Sequence, residues 1–330
     1  MNQAVTLVSA PPADAPRVSL RIADDTGARD LVGHPLGVDG PHLIVLPADA
    51  GPQWVERSKI THRRETGPRM VRPVSTPLDL QRVATHGWPG VERFRLGGWL
   101  LRAGSGWTSR ANSTLVAGDP GLPVPEALAA VDDFYRHRDL PGRLQITLTN
   151  DGEPLGPTRD AGPSIAEVDA AAAAGGWRAS DPVHVMVRDL TEDSLAPAAL
   201  PDGLRPVWHH APTPQWLTLL RGGEGEDPRA VPVLTAGPAR YLTLVDEHGP
   251  VAIGRGAAAE NWLGISCIEV HPQHRRRGLG RMVTQLLAAD TTADFAYLQV
   301  ESGNEPALAL YDRLGFTEHH RYHYRTRADR

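Results

Sequence analysis

A strand, a sharp turn and the first turn of a helix are written into residues 262–281. The apolar run 262–268 leads into Val270-His-Pro-Gln-His-Arg275-Arg276-Arg277-Gly278-Leu279-Gly280-Arg281, with an Arg-x-x-Gly-x-Gly pattern at the turn. Glycine lets backbone N–H groups face a ligand with no side chain in between. A helix N-terminus adds partial positive charge to those donors, and the flanking arginines add full charges. A chain with this join must bring the end of a strand against a phosphate group, so the expected ligand is a pyrophosphate-bearing cofactor. The Gly278 and Gly280 pair could also open a dinucleotide fold, but the full Gly-x-Gly-x-x-Gly and its βαβ surroundings are missing.

The 330 residues suit two or three domains. Residues 1–16 are rich in Ala and Pro and are expected to be disordered. Short alternating runs at 18–22, 42–46 and 54–60, punctuated by Gly, Pro and Asp, predict a small β-barrel over 17–66. A Pro- and Arg-containing linker fills 67–77. Residues 78–204 and 205–330 each mix strands with helices, so the expected class is α/β (α+β), with two mixed sheets and helices on both faces. In the first of these blocks strands are expected at 99–102, 109–115, 144–148 and 183–187, and helices at 125–137 and 165–174. The second block repeats this order, with strands at 240–245, 251–255, 262–270 and 296–300, helices at 279–289 and 305–314, and a final strand through 320–324.

The repetition reads as a weak duplication. Where the second copy has its arginine–glycine turn, the first has Gly118-Asp-Pro-Gly-Leu-Pro123. An aspartate there, with no arginine beside it, would repel a pyrophosphate, so only the second copy is expected to bind cofactor. Composition narrows the rest. A net charge of −5 argues against a bulk nucleic-acid binder. Cys267 is the single cysteine, which excludes an internal disulfide framework and suits a reducing compartment; it reads as a small buried hydrophobe. No apolar stretch approaches the ~20 residues that span a bilayer. No basic segment leads into an apolar core at the N-terminus, so a cytoplasmic protein without a signal peptide is expected.

After the turn comes Gln299-Val-Glu-Ser-Gly-Asn304, then Ala307, Tyr311 and Gly315-Phe316. Together with Val270-x-Pro272 and the turn itself, this pattern over about 205–325 resembles the GNAT superfamily of acetyl-CoA-dependent N-acetyltransferases. The resemblance implies tandem GNAT-like sheets with acetyl-CoA as co-substrate and no metal. It implies that Ile268 and Val270 offer backbone hydrogen bonds to the acetyl carbonyl and pantetheine. The N–H groups of Arg275, Arg276, Arg277, Gly278, Leu279, Gly280 and Arg281 would hold the pyrophosphate, and Asn304 the pantetheine arm. Tyr311 would protonate the departing thiolate. The attacking amine must lose a proton, and Glu269 on the cofactor strand is the first choice of base, ahead of Glu260 and Glu301. His319, His320 and His323 lack a Cys or carboxylate cluster to complete a metal site, and packing accounts for them better.

Gly97-Gly-Trp-Leu-Leu-Arg102, Thr108-Ser-Arg-Ala-Asn-Ser113 and the ending His319-His-Arg-Tyr-His-Tyr-Arg325 look like an actinobacterial GNAT group with an SH3-like N-terminal domain, whose members are assigned as N-acetylglutamate synthases. That implies a small-molecule amine, glutamate, as acceptor, and a place in arginine biosynthesis. Glutamate needs cations for two carboxylates. Arg102, Arg110 and Arg255 are the candidate clamps, with Asn112 and Ser113 as neutral donors; a structural role for the 110–113 strand stands beside that reading. Acetylation of a protein or antibiotic amine, and a non-catalytic acetyl-CoA-binding regulator, remain the alternatives.

Overall fold

Alternating apolar residues in Arg17–Asp24 and His42–Pro47 put Val18, Leu20, Ile22, Leu43 and Val45 on one buried face. The computed structural model describes residues 7–327 apart from 13, 25–26, 68–69, 192–194 and 196–199. In it, these strands join a five-stranded antiparallel sheet ordered Gln53–Glu56, His42–Pro47, Gly27–Asp39, Arg17–Asp24, Ile60–Thr66. The helical turn Arg57–Lys59 breaks the run expected at 54–60 into two strands. Gly27–Asp39 runs through Gly33, Pro35 and Gly37, and a register shift between Pro35 and Gly37 absorbs the proline. In the stretch expected to be disordered, Val8–Ser9 pair with Arg95 and Phe94; residues 1–6 and 13 lie outside the described residues.

The remaining strands form one 13-stranded sheet. Its first part runs Val8–Ser9, Glu92–Leu96, Trp99–Ala103, Thr114–Leu115, Arg143–Leu148. Its last part runs Phe295–Glu301, Trp262–Val270, Gly249–Ala259, Arg240–Asp246, Arg205–His209. Between them the two copies exchange strands. Val183–Asp189, from the first of the two blocks, pairs with Phe295–Glu301 on one side and with the start of Thr317–Arg327 on the other. The far end of Thr317–Arg327 crosses to the first copy, where it lies between Arg143–Leu148 and Trp177–Ala179. The sheet is therefore continuous across the division expected at 204/205.

Each copy has its own core. In the first, Ala127, Leu128, Val131, Phe134 and Tyr135 of the helix Val124–Arg136 face the sheet. In the second, Met282, Val283 and Leu287 of Leu279–Ala289 do the same. The helix Pro77–Gly87, which lies where a linker was expected to end, covers the exchanged strands. It opens with Thr76 and Asp79 capping each other and with Pro77 in its first turn. Its Leu80, Val83 and Ala84 pack with Val185, Trp262, Tyr297 and Tyr322. Among the described residues no helix is long and apolar enough to cross a membrane.

Candidate active site

Trp262–Val270 and Phe295–Glu301 run parallel and pair only from Trp262 opposite Phe295 to Ile265 opposite Leu298. Beyond that point they separate. The cause lies in the strand itself: Cys267 has a left-handed backbone (φ 56). Across the ladder Ile253 faces Glu269 and Arg255 faces Ser266, so Cys267 and Ile268 share the single residue Gly254. This bulge bends the strand away from its parallel neighbour. Gly254 is required there, because a Cβ would stand 2.5 Å from Val283 Cγ1. Past the bulge, the His271 N–H donates to the Val251 carbonyl at 2.9 Å. Val270, opposite Ala252, therefore turns its own amide the other way, into the gap. Its carbonyl accepts from Arg275 Nε at 3.3 Å. Ile268 sits in the bulge and packs into the core of the second copy.

The glycine turn closes one end of the gap. Gly278 (φ 79) precedes the helix Leu279–Ala289 as its N-cap, no side chain caps that helix, and a Cβ on Gly278 would meet nothing within 4 Å. Arg275, Arg276, Arg277 and Arg281 are exposed around it, while Leu279 is buried and anchors the turn. Gly280 lets the helix approach the bulged strand and the next helix; a Cβ there would sit 3.3 Å from Leu310 Cδ2 and 3.9 Å from Val270 Cγ2. Open backbone donors at a helix start, with guanidinium groups around them, fit a pyrophosphate. The unpaired strand edge behind them fits an extended amide-containing arm, which would take the place of the missing ladder. Asn304 caps the helix Glu305–Arg313, accepting from the Ala307 N–H at 3.2 Å, so its carboxamide oxygen is committed and its NH2 group is what it has to offer.

Tyr311 and Glu269 belong to the same neighbourhood. Tyr311 is buried against Phe316, with ring centroids 5.8 Å apart. Burial, with the charge of Glu269 added, raises its hydroxyl well above the ordinary tyrosine value, which keeps the proton in place for donation. Glu269 is half-buried, and burial raises its carboxyl against the pull of Arg221 and Arg275. A raised carboxylate is a stronger base. Arg221, which sequence reading passed over, approaches Glu269 from the segment 220–226 with its backbone N–H and its charge. That segment holds Arg221, Gly222 and Gly223 all at positive φ. The Gly222-Gly223 pair was the available signal for a tight turn.

The expected acceptor clamps lie near one another, with Arg110 and Arg255 on the same Trp88 ring, but most of them are occupied inside the protein. Arg102 is buried and donates to the Ser113 carbonyl, Ser113 Oγ and Gln145 Oε1, the last at 2.6 Å. Asn112 accepts from the Gly104 and Gly106 N–H groups and donates to the Trp107 and Thr108 carbonyls, which fills its hydrogen-bonding capacity. Arg255 donates to the Gly87 and Leu234 carbonyls and lies over the Trp88 ring at 4.9 Å. These three are internal braces, and the ligand-binding roles expected of them, clamps for Arg102 and Arg255 and a neutral donor for Asn112, are corrected accordingly. The strand expected at 109–115 shrinks to Thr114–Leu115 because Asn112 folds the segment before it into a turn. Arg110 differs. It touches Tyr322, stands 5.5 Å from the Trp88 ring centroid, and has a buried Nε with no hydrogen-bond partner among the described residues. Its charge also reaches the Cys267 thiol in the bulge.

Of the other carboxylates considered as bases, Glu260 lies in the turn before Trp262, and Glu301 is exposed at the end of its strand. The histidines form no metal set. His323 meets Asp169 at 2.9 Å, while His320 and His319 join a buried polar chain. Among the described residues no group of three or more His, Cys, Asp or Glu could hold a metal ion.

Comparison with known proteins agrees with this geometry. A family model described as "Probable histone acetyltransferase Rv0428c C-terminal" matches residues 78–325. An uncharacterized N-acetyltransferase, YobR of Bacillus subtilis, is 26% identical over 260 residues, covering 74% of this chain and 96% of that protein. The probable histone acetyltransferase Rv0428c of Mycobacterium tuberculosis is 27% identical over 257 residues, 74% of this chain and 72% of that one. In fold, the chain is similar to a GCN5-related N-acetyltransferase from Kribbella flavida (TM-score 0.54, 16% identity, 76% of this chain and 95% of that one). It is also similar to a tandem GNAT protein from the clavulanic acid biosynthesis pathway (TM-score 0.50, 20% identity, 79% and 90%). A strand gap, an open glycine turn and a matched family model converge: the chain belongs to the Rv0428c C-terminal family and is an acetyl-CoA-dependent N-acetyltransferase of the GNAT type.

Proposed function

We propose that the second copy transfers acetyl from acetyl-CoA directly to the primary amine of a small molecule that carries a carboxylate. Arg110 carries this reading, as a half-buried cation whose buried Nε has no hydrogen-bond partner among the described residues. A desolvated guanidinium without a counter-charge favours a carboxylate guest. The pyrophosphate rests on the N–H groups of the 275–281 turn, and the Val270 N–H meets the pantetheine arm. Glu269 takes the amine proton, directly or through water, as nitrogen bonds to the acetyl carbon. The C–S bond then breaks, and Tyr311 supplies the proton to the thiolate.

Glutamate is the acceptor that the resemblance to the actinobacterial group implies. Its α-carboxylate would pair with Arg110, and Arg221, whose side chain is 51% exposed and lies 3.6 Å from Glu224, is the cation left for the second carboxylate. The name of the M. tuberculosis relative suggests a histone-type acceptor instead. A lysine-rich tail would bring its charges toward Arg110, Arg221 and Arg275, which disfavours it. The test is CoA release from acetyl-CoA with a panel of glutamate, other amino acids, aminoglycosides and a lysine-rich peptide. Amino-acid acceptors should react, and Arg110→Met should raise their KM at least about tenfold, the scale of one lost charged hydrogen bond. Reaction with the peptide and none with amino acids overturns the proposal.

A further inference from the structure

A cavity of ≈ 190 Å³ lies between the five-stranded sheet and the first copy, and none of the residues placed in the acetyl-transfer gap lines it. At about 30 Å³ per water molecule, it has room for about six waters, which suits a compact metabolite better than a nucleotide. His34 and Leu46 of the small sheet, Arg93 and Leu100 of the large one, and Val83 and His86 of the covering helix contribute to its wall.

Its charges do not balance locally. Four arginines line it, Arg17, Arg82, Arg93 and Arg95. Arg82 is occupied by Asp160 at 2.6 Å and by Asp79 at 4.0 Å. Arg95 donates to the Gly97 and Ala48 carbonyls. Arg17 and Arg93 have no carboxylate within ion-pair distance among the described residues, and burial pulls Arg93 below its ordinary value with no attraction to offset it. Of the two acids on the wall, Asp79 serves the Thr76 cap and Arg82. Glu260 stands 3.6 Å from His86 Nδ1, and burial raises its carboxyl against the more distant pull of Arg17. The buried His86 Nδ1 itself has no hydrogen-bond partner among the described residues. Two half-buried guanidinium groups and an idle ring nitrogen facing this recess are costly unless an anion occupies it.

We propose that this cavity binds a compact organic oxyanion, with its carboxylate or phosphate held between Arg17 and Arg93 and its short apolar body against Val83, Leu100 and Leu115. The planar guanidinium fork suits either oxyanion. Glu260 starts the turn into Trp262–Val270, so the ligand would sit at the opposite end of the acetyl-transfer strand, about 26 Å from Val270 at ~3.3 Å per residue.

The experiment is thermal unfolding of the full chain with saturating CoA, so that the glycine turn is filled, in titrations with inorganic phosphate, succinate and citrate. At least one of them should raise Tm by several degrees and saturate, and whether phosphate or the carboxylates respond identifies the source. Arg17→Met and Arg93→Met should each weaken that response at least tenfold, and Arg93→Lys should weaken it less. Unchanged CoA affinity in the variants serves as the folding control. The proposal fails if no probe shifts Tm, or if the shift is the same in the arginine variants.

Discussion

The two copies meet the same local problem, a strand that turns into a helix beside a parallel neighbour, and they answer it in opposite ways. In the second copy the turn stands open: Gly278 has nothing within 4 Å of where a Cβ would go. In the first copy the corresponding turn is filled. Gly118 (φ 80) lies against the backbone of Asp49 from the small sheet, whose carbonyl accepts from the Asp119 N–H at 2.8 Å. Gly98 and Gly162 pack in around it. The strand gap differs as well. Thr114–Leu115 is paired with Arg143–Leu148, and the Val116 N–H still reaches the Gln145 carbonyl at 3.4 Å. The same supersecondary unit is thus left open in one place and in the other filled as a socket for the segment around Asp49. Which one it becomes depends on what its glycines are free to face.

Exchanging the insult between the two turns breaks this comparison most directly. Gly278→Asp should lower CoA affinity at least about 100-fold, some 2.7 kcal/mol, while its left-handed backbone costs only about 1 kcal/mol of stability, because nothing overlaps the new Cβ. Gly118→Ala should do the reverse, costing about 2–4 kcal/mol of stability through its left-handed backbone and its overlap with Asp49, with CoA affinity intact in the folded protein. Calorimetric CoA titration and urea unfolding of both variants read this out, and equal effects in the two would remove the distinction.

Variants of the proposed acetyl-transfer residues sharpen it further. Glu269→Gln should reduce kcat about 100-fold. In the wild type the rate should fall as pH drops through the raised Glu269 value, because the base is then protonated; the variant should lose that limb. Tyr311→Phe should cost about tenfold in kcat, below the usual contribution of a proton donor because a thiolate already leaves well. A pH-rate profile of Glu269→Gln with its acid limb intact would exclude Glu269 as the base.

The smallest effect concerns the bonds that join the copies. Arg102 donates to Gln145 Oε1, Gln145 to Gln81 Oε1, and Gln81 to His320 Nε2. The His320 Nδ1–H then meets His319 Nδ1, and the His319 Nε2–H donates to the Ser75 carbonyl. The chain closes with every donor matched only if both imidazoles are neutral. Burial lowers both histidines, and lowers His86 to about 4. The unfolded chain takes up these protons below pH 6.5 while the folded one does not, so stability is full above 6.5 and falls toward pH 4, by on the order of 1–3 kcal/mol. Urea unfolding at pH 7.5 and 5 measures this, and pH-independent stability would contradict the neutral chain.

Local features were legible in the sequence and relational ones were not. The helices Ile165–Ala174 and Leu279–Ala289 and the glycine turn follow from apolar spacing and backbone freedom, both written within a few residues. Pro77–Gly87 escaped because its apolar face is shared between two cores and its cap uses Asp79 in place of the usual Glu or Gln. Arg102 and Arg255 were taken for ligand clamps, and Asn112 for a neutral donor to the ligand, because sequence does not reveal whether a polar side chain finds its partners inside. Their partners lie on other elements: Gln145, a loop of carbonyls and amides, and Gly87. The strand exchange left no trace in periodicity, since a strand reads the same whichever neighbour it joins.

That exchange also has a consequence for how the protein is made. The first copy leaves the ribosome with Arg143–Leu148 unpaired on one side, because its partner is Thr317–Arg327 at the far end of the message. At ~5–20 residues per second, the intervening chain takes roughly 10–30 s to synthesise. For that interval a newly made apolar edge is available to other nascent chains, so this fold's exposure to aggregation lies in translation, before any catalytic turnover begins.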